Sequence, residues 1–426
     1  MTQALHKLAT DILQINDRGS YTVPTKGLYP FQWNWDSCLT ALGQRHFDPA
    51  RALTEIETLF AHQWPCGMVP HIIFHLRDEG YFPGPDVWDC GRPVPTSGIT
   101  QPPVAGFALR RLLDSAPDLR MRARPLLDRI TAWHRWFHAT RDPKGTGLVA
   151  LIHPWESGRD NSVDWDVPFE RVPTSGIAPY TRRDTQHADP AHRPTKDQYD
   201  RYIWLVERFR GLGWATEKLH DASPFQVVDP GFNAILIRSC LDLADLAEDL
   251  GAPDIAAANR GFAHAGLQAL EHLWSEARGQ YLCLDRTTGA LIDSPSSGGL
   301  LPVFAPIPQD KAARIAATID GHGTQYRVAS HAPGTPGFDA QRYWRGPVWL
   351  VVNYMIADGL DRAGESAAAI AITRSSLDLI GSSGFAEYYD PLTGQPLGGG
   401  QFTWTAAMVL EFLSGARRSM GNDTSA

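Results

Sequence analysis

The chain has 426 residues, 43% of them hydrophobic and 20% charged, which is ordinary for a folded protein with a sizeable core. A net charge of −8 argues against a nucleic-acid partner, which asks for a basic face, and no apolar run is long enough to span a bilayer. The five cysteines (Cys38, Cys66, Cys90, Cys240, Cys283) are scattered and form no CxxC pair. They suit free thiols in a reducing compartment, and the N-terminus lacks the apolar centre of a signal peptide, so the expected location is cytoplasmic.

Apolar residues recur at three- and four-residue spacing, which predicts helices over 2–16, 35–46, 49–62, 101–114, 118–140, 196–211, 231–250, 253–275, 308–319, 344–362, 364–380 and 403–417. Asp48-Pro49 and Asp229-Pro230 are start signals that join a capping carboxylate to a proline tolerated in the first turn. Gly381 and Gly384 mark the end of the eleventh helix. Twelve helices in pairs are what an all-α (α/α)6 toroid, a six-hairpin barrel, requires. Neither a composition break nor a fixed-period repeat divides the chain, so residues 1–426 are expected to form one domain.

Between the helices run long segments, 17–34, 63–100, 141–195, 276–307 and 382–402, rich in Gly, Pro, Trp and charge. Loops of that length in a compact domain usually carry function, and at one end of a barrel they would build a pocket. Residues 161–195, with five prolines from Pro168 to Pro194, are expected to form a lid or wall.

Four stretches can carry chemistry. Residues 153–162 (HPWESGRDNS) place Asp160 near Trp155 and the turn-forming Gly158, and an apolar wall raises a carboxyl's pKa as a general acid needs. The bland alternative is a surface turn capped by Asp160. Around Glu387, residues 383–394 supply a glycine turn and two tyrosines able to hold a carboxylate or a water. Residues 29–37 (YPFQWNWDS) set Trp33 and Trp35 around Asn34, with Asp36 placed to cap the next helix or to bind hydroxyls. In residues 342–349, Arg345 at an expected helix start is unfavourable for the helix dipole, so a compensating partner is expected, for which a nearby catalytic or substrate-borne carboxylate would serve. Fourteen tryptophans exceed ordinary usage, and their clustering beside acids, Gln and Arg suggests a pocket that stacks against sugar rings.

Together YPFQWNWDS, HPWESGRDNS, YWRGPVWLVVNY and GFAEYYDPLTGQPLGGGQFTWTAA, in that order from residue 29 to 407, resemble the inverting glycosidases of glycoside hydrolase family 63. The length, with no added β-domain, resembles most the bacterial mannosylglycerate and glucosylglycerate hydrolases. The resemblance implies cleavage of a small α-glycoside, 2-O-mannosyl- or 2-O-glucosyl-glycerate, to free sugar and glycerate. It implies Asp160 as the acid and Glu387 as the base, separated by about 6.5–9.5 Å with water between them, as inversion demands. It assigns Trp33, Trp35, Asp36, Trp155, Gly158 and Trp349 to the sugar subsite, with Trp344 and Arg345 beside it. Tyr29, Tyr81, Gln101 and Tyr343 fall to the glycerate portion. Arg193, in the expected lid, could serve a substrate carboxylate or be solvated, and the solvated reading is favoured. No cofactor or metal is implied, and His71 and His75, four apart without an HExxH pattern, are read as loop or pocket residues. The only partner expected is a small sugar, with homo-oligomerisation left open.

Two alternatives stay in view: an inverting α-glucosidase acting on a disaccharide or short oligosaccharide, and a non-catalytic sugar-binding barrel. The second is disfavoured by the presence of both carboxylates. An epimerase on the same fold would place histidines as acid and base, and His153 and His331 do not fall in the segments that such enzymes use.

Overall fold

The computed structural model describes residues 2–187 and 189–422; residue 188 of the expected wall and the ends of the 1–426 span lie outside the described residues. Twelve longer helices follow in chain order: α1 (Thr2–Asn16), α2 (Asn34–Gln44), α3 (Pro49–Ala61), α4 (Ala105–Ser115), α5 (Arg120–Arg141), α6 (Lys196–Arg210), α7 (Pro230–Asp249), α8 (Pro253–Leu270), α9 (Gln309–Gly321), α10 (Leu350–Arg362), α11 (Ser366–Ser383) and α12 (Thr403–Asn422). The capping prolines act as read: Asp48 accepts from the N–H of Arg51, and Asp229 from that of Gly231.

Helix amphipathicity sets the layering. Outer α1 buries Leu5, Ala9, Ile12, Leu13 and Asn16, one stripe at helical spacing, against α2 and α12. Inner α2 is buried along its whole length. The inner helices pack in a closed cycle, α2 on α4, α4 on α7, α7 on a short segment at 297–304, that segment on α10, α10 on α12, and α12 back on α2. Around them, α3 packs on α2 and α4, α5 and α8 on α7, and α9 and α11 on α10.

The expected count of twelve conceals two errors that cancel. The sixth inner member is the helical turn Ser297–Leu300 followed by the 3-10 turn Leu301–Phe304. Eight residues containing two glycines and a proline are too few to reveal a helical period. Conversely α6, opened by a Thr195/Gln198 capping box, packs on the short helix Pro85–Trp88 and stands outside the cycle. Boundaries shift as well. The helix expected over 344–362 begins at Leu350, because Gly346-Pro347 disfavours helical backbone before it. Residues 344–349 instead run irregularly to Val348, which bridges Ala329 and Tyr389, so no helix dipole acts on Arg345. The helix expected over 253–275 stops at Leu270, and Gly381 lies inside α11 while Gly384, with φ +73°, terminates it.

Short antiparallel strands pin the long loops. β1 (Gln32–Trp33) pairs with β2 (Ile72–Ile73), and β3 (Ala386–Tyr389) with β4 (Pro396–Gly400). Among the described residues no helix is long and apolar enough to cross a membrane.

Candidate active site

At one end of the helical cycle the loops enclose a cavity of about 100 Å³. Its walls come from the segment before α2 (Tyr29, Trp33, Trp35, Asp36), the β2 region (His71, Ile72, Tyr81, Phe82, Gln101), the Asp160 turn (Trp155, Gly158, Asp160), the stretch Arg183–Tyr199, and the C-terminal part (Tyr343, Glu387, Phe402, Trp404). Neighbouring segments are stitched through the backbone: the N–H of Asn34 donates to the carbonyl of His71 (3.0 Å), and that of Trp35 to Oε1 of Gln101 (3.3 Å).

Asp160 follows a 3-10 turn (Pro154–Ser157) that ends at Gly158 in the left-handed region, φ +70°. A Cβ there would lie 2.7 Å from the Trp35 indole, so the close approach of this turn to the aromatic wall requires glycine. Tyr202 Oη donates to the Asp160 carbonyl (2.7 Å) and Trp165 Nε1 to the Arg159 carbonyl (2.7 Å), which fix the backbone on either side. No side chain of the described residues donates to the Asp160 carboxylate. Burial pushes this carboxyl up to about 7, and Glu387 adds to the rise against the opposing field of Arg193.

Glu387 sits at a register shift in the β3–β4 ladder, between Ala386 and Tyr388. The bulge turns its side chain inward, where it is 1% exposed. Three donors hold it: Tyr29 Oη (3.0 Å) and Tyr343 Oη (3.4 Å) on Oε1, and the N–H of Gly399 (3.0 Å) on Oε2. A Cβ on Gly398 would fall 2.3 Å from Oε2, so the glycine run is what lets β4 approach this carboxylate. Burial raises the Glu387 pKa, while the Arg193 guanidinium, 3.7 Å away, and the three donors hold it back. Asp36 is the third buried acid, well above the ordinary carboxylate range because of burial and then Glu387. It lies in the first turn of α2, two residues inside the helix start, and Trp33 occupies the N-cap position, so capping is not its role.

A family model described as the mannosylglycerate hydrolase MGH1-like glycoside hydrolase domain matches residues 29–405, a span that holds both carboxylates and the cavity lining from Tyr29 to Trp404. The chain belongs to that glycoside hydrolase family. It is 46% identical over 409 residues to mannosylglycerate hydrolase MGH1 of Selaginella moellendorffii, covering 94% of this chain and 84% of that one. It is 35% identical to the glucosylglycerate hydrolase of Mycolicibacterium hassiacum, covering 95% and 96%. The crystal structure of the family 63 mannosylglycerate hydrolase from Thermus thermophilus, in complex with Tris and D-glycerate, superposes with a TM-score of 0.93 at 46% identity, covering 96% of this chain and all of that one.

In this glycoside hydrolase, Tyr29, Trp33, Trp35, Asp36, Tyr81, Gln101, Trp155, Gly158, Asp160, Tyr343 and Glu387 all line the cavity. Trp344, Arg345 and Trp349 do not. Trp344 stacks flat on Trp349 (3.8 Å), which stacks on Tyr388 (4.7 Å) and donates from Nε1 to the Tyr343 carbonyl (3.1 Å). This pile supports the wall from behind. Arg345 faces away and pairs with both oxygens of Asp166 at 2.7 Å, a carboxylate off the cavity in place of the catalytic or substrate-borne one expected.

Arg193 differs from its solvated reading: it is 4% exposed, pairs with Asp184 (3.2 Å), donates to Tyr29 Oη (2.8 Å) and lies 4.0 Å over the Tyr343 ring. Asp184, Arg183, Tyr199, Phe402 and Trp404 also line the cavity without having been singled out. Trp404 lay inside a quoted motif, whereas a wall of prolines and mixed charge offers no period from which Arg183 or Asp184 could be picked. His71 lines the cavity, held neutral because burial lowers its pKa to about 3, while His75 stacks on Tyr21 outside it.

Proposed function

We propose that this enzyme hydrolyses 2-O-mannosylglycerate to mannose and glycerate with inversion at the anomeric carbon, with Asp160 as general acid and Glu387 as general base. The observation that carries this reading is the contrast between two carboxyls on one cavity. Asp160 lacks a side-chain donor among the described residues and is pushed up to about 7, so it can arrive protonated and give its proton to the glycosidic oxygen. Glu387 is held by three donors and a cation, so it can stay ionised and take a proton from the attacking water. Trp33, Trp35 and Trp155 offer faces for the sugar ring, and Asp36 offers an acceptor for its hydroxyls. Arg193, with Tyr29, Tyr81, Gln101 and Tyr343 around it, suits the glycerate carboxylate, in keeping with the D-glycerate bound by the Thermus enzyme. The six-member cycle of inner helices supports a single-domain (α/α)6 toroid, and Arg183, Asp184, Arg193 and Pro194 of the expected wall line the site.

Glucosylglycerate is the second reading, favoured by the Mycolicibacterium relative; the two sugars differ at one hydroxyl. Sugar release from mannosylglycerate, glucosylglycerate, trehalose and kojibiose tests the assignment, beside Asp160→Asn and Glu387→Gln. The expected result is release from a glycosylglycerate, abolished by both substitutions, with the β-anomer appearing first by NMR. Release from disaccharides alone would discard the glycerate subsite. First appearance of the α-anomer would discard inversion.

A further inference from the structure

Arg193 stands between the catalytic carboxyls and the place where the aglycone's charge would sit. Its Nε is engaged by Asp184 and its Nη2 by Tyr29, yet Nη1, 3.7 Å from Glu387, is buried without a hydrogen-bond partner. A buried cation with a spare donor at the wall of a cavity is a site for an anion. We propose that the anionic aglycone arms the general acid: its carboxylate takes the free Nη1, cancels the cation's field over Asp160, and leaves that carboxyl protonated in the substrate complex. The proposal rests on the reading of the substrate as a glycoside of a hydroxy acid.

The groups around Asp160 leave Arg193 as the one influence a ligand can switch. Asp184 faces it from the same wall as Arg193, and Glu387 from β3; both add to the effect of burial. Tyr81, Tyr202 and Tyr343 complete its surroundings and are pushed up by burial, so they stay neutral, and His71 is neutral too. Arg193 opposes protonation most, ahead of the backbone N–H of Asp160, which a ligand does not switch. A unit negative charge brought within roughly 10 Å, at an effective permittivity of about 20, raises a carboxyl by about one pH unit. Glu387 feels the same charge, but its three donors favour the ionised form, so the acid gains a proton while the base keeps its lone pair. An uncharged aglycone of the same shape would leave the cation unanswered and the acid partly ionised near neutral pH. The enzyme would then select acidic aglycones in kcat as well as in KM.

The test is proton-linked binding of D-glycerate to the intact enzyme, by calorimetry in buffers of different ionisation enthalpy. With a free carboxyl near 7 and a bound one about a unit higher, binding at about pH 7.5 should take up about half a proton. Affinity should also weaken by up to about tenfold as pH rises across this window. Asp160→Asn should bind D-glycerate with no uptake. Zero uptake and pH-independent affinity in the wild type, or the same uptake in Asp160→Asn, would overturn the proposal while leaving the glycerate subsite intact. Failure of D-glycerate to bind either protein would overturn the substrate reading itself.

Discussion

Arg159 and Asp160 are adjacent in the chain and belong to two buried charge groups of opposite design. Arg159 is 3% exposed and fully spent: Nη1 reaches Asp164 (2.8 Å), Nη2 reaches Asp229 (2.9 Å), and Ser162 and Ser296 close the remaining contacts. Burial alone would push Asp164 up, but Arg159 and Ser296 more than reverse it and hold its carboxyl below the ordinary range. That group ties the Asp160 turn to the N-cap of α7 and to the segment that completes the inner cycle. The cavity group is short of partners: Asp160 and Glu387 share one buried cation, Arg193, which itself has a donor to spare, and a third buried acid, Asp36, is raised by burial and by Glu387. Charges that serve structure are paired off, whereas those on the cavity are left incomplete by about what a charged substrate would bring.

The largest expected effect is on catalysis: Asp160→Asn and Glu387→Gln should each lower kcat by about a thousandfold or more, with KM changed little, in steady-state assays on the preferred glycosylglycerate. Next, Arg159→Met should cost about 3–5 kcal/mol in denaturant unfolding, since it strands two buried carboxylates, whereas Arg193→Met should cost far less stability and chiefly raise KM. Equal losses would erase the distinction between the two groups.

A smaller effect has the opposite sign. Because the folded pKa of Asp160 lies above its unfolded value, the carboxyl's contribution to stability is fully present at pH 4 and below, and is lost as pH rises through about 7. Asp160→Asn should therefore be more stable than the wild type at pH 8, by up to about 4 kcal/mol, with the gap closing toward pH 4 in thermal melts. The same ionisation should give kcat/KM an alkaline limb centred near 7. The smallest change is expected at the rim, where Arg183 joins Asp78 (2.5 Å) and the Gly27 carbonyl (2.8 Å). Asp78→Ala removes a partly exposed pair and should alter stability by less than about 1 kcal/mol.

Much of this was legible before any coordinates. Helix positions followed from apolar spacing, and the aromatic and acidic motifs marked nine residues that meet on one cavity, with Tyr81 and Gln101 supplied by the family resemblance. What was misread shares a cause. Arg193 and Arg345 are both arginines in irregular segments, and sequence cannot say which groups meet them there; one proved buried over Tyr343 and the other half-buried against Asp166. Trp344 and Trp349 carry the same side chain as Trp33 and Trp35, yet they support the wall from behind. Gly398–Gly400 read as coil, although these residues form the strand whose N–H holds Glu387.

Local sequence carries the longer helices, because a buried stripe at helical spacing is a property that a single segment can display. It also determined which residue types were available for acid, base and sugar stacking. Only the tertiary structure decided which charges pair with one another and which face the cavity. Those outcomes depend on contacts between residues such as Asp160 and Glu387, 227 positions apart, and on the burial that sets their pKa values.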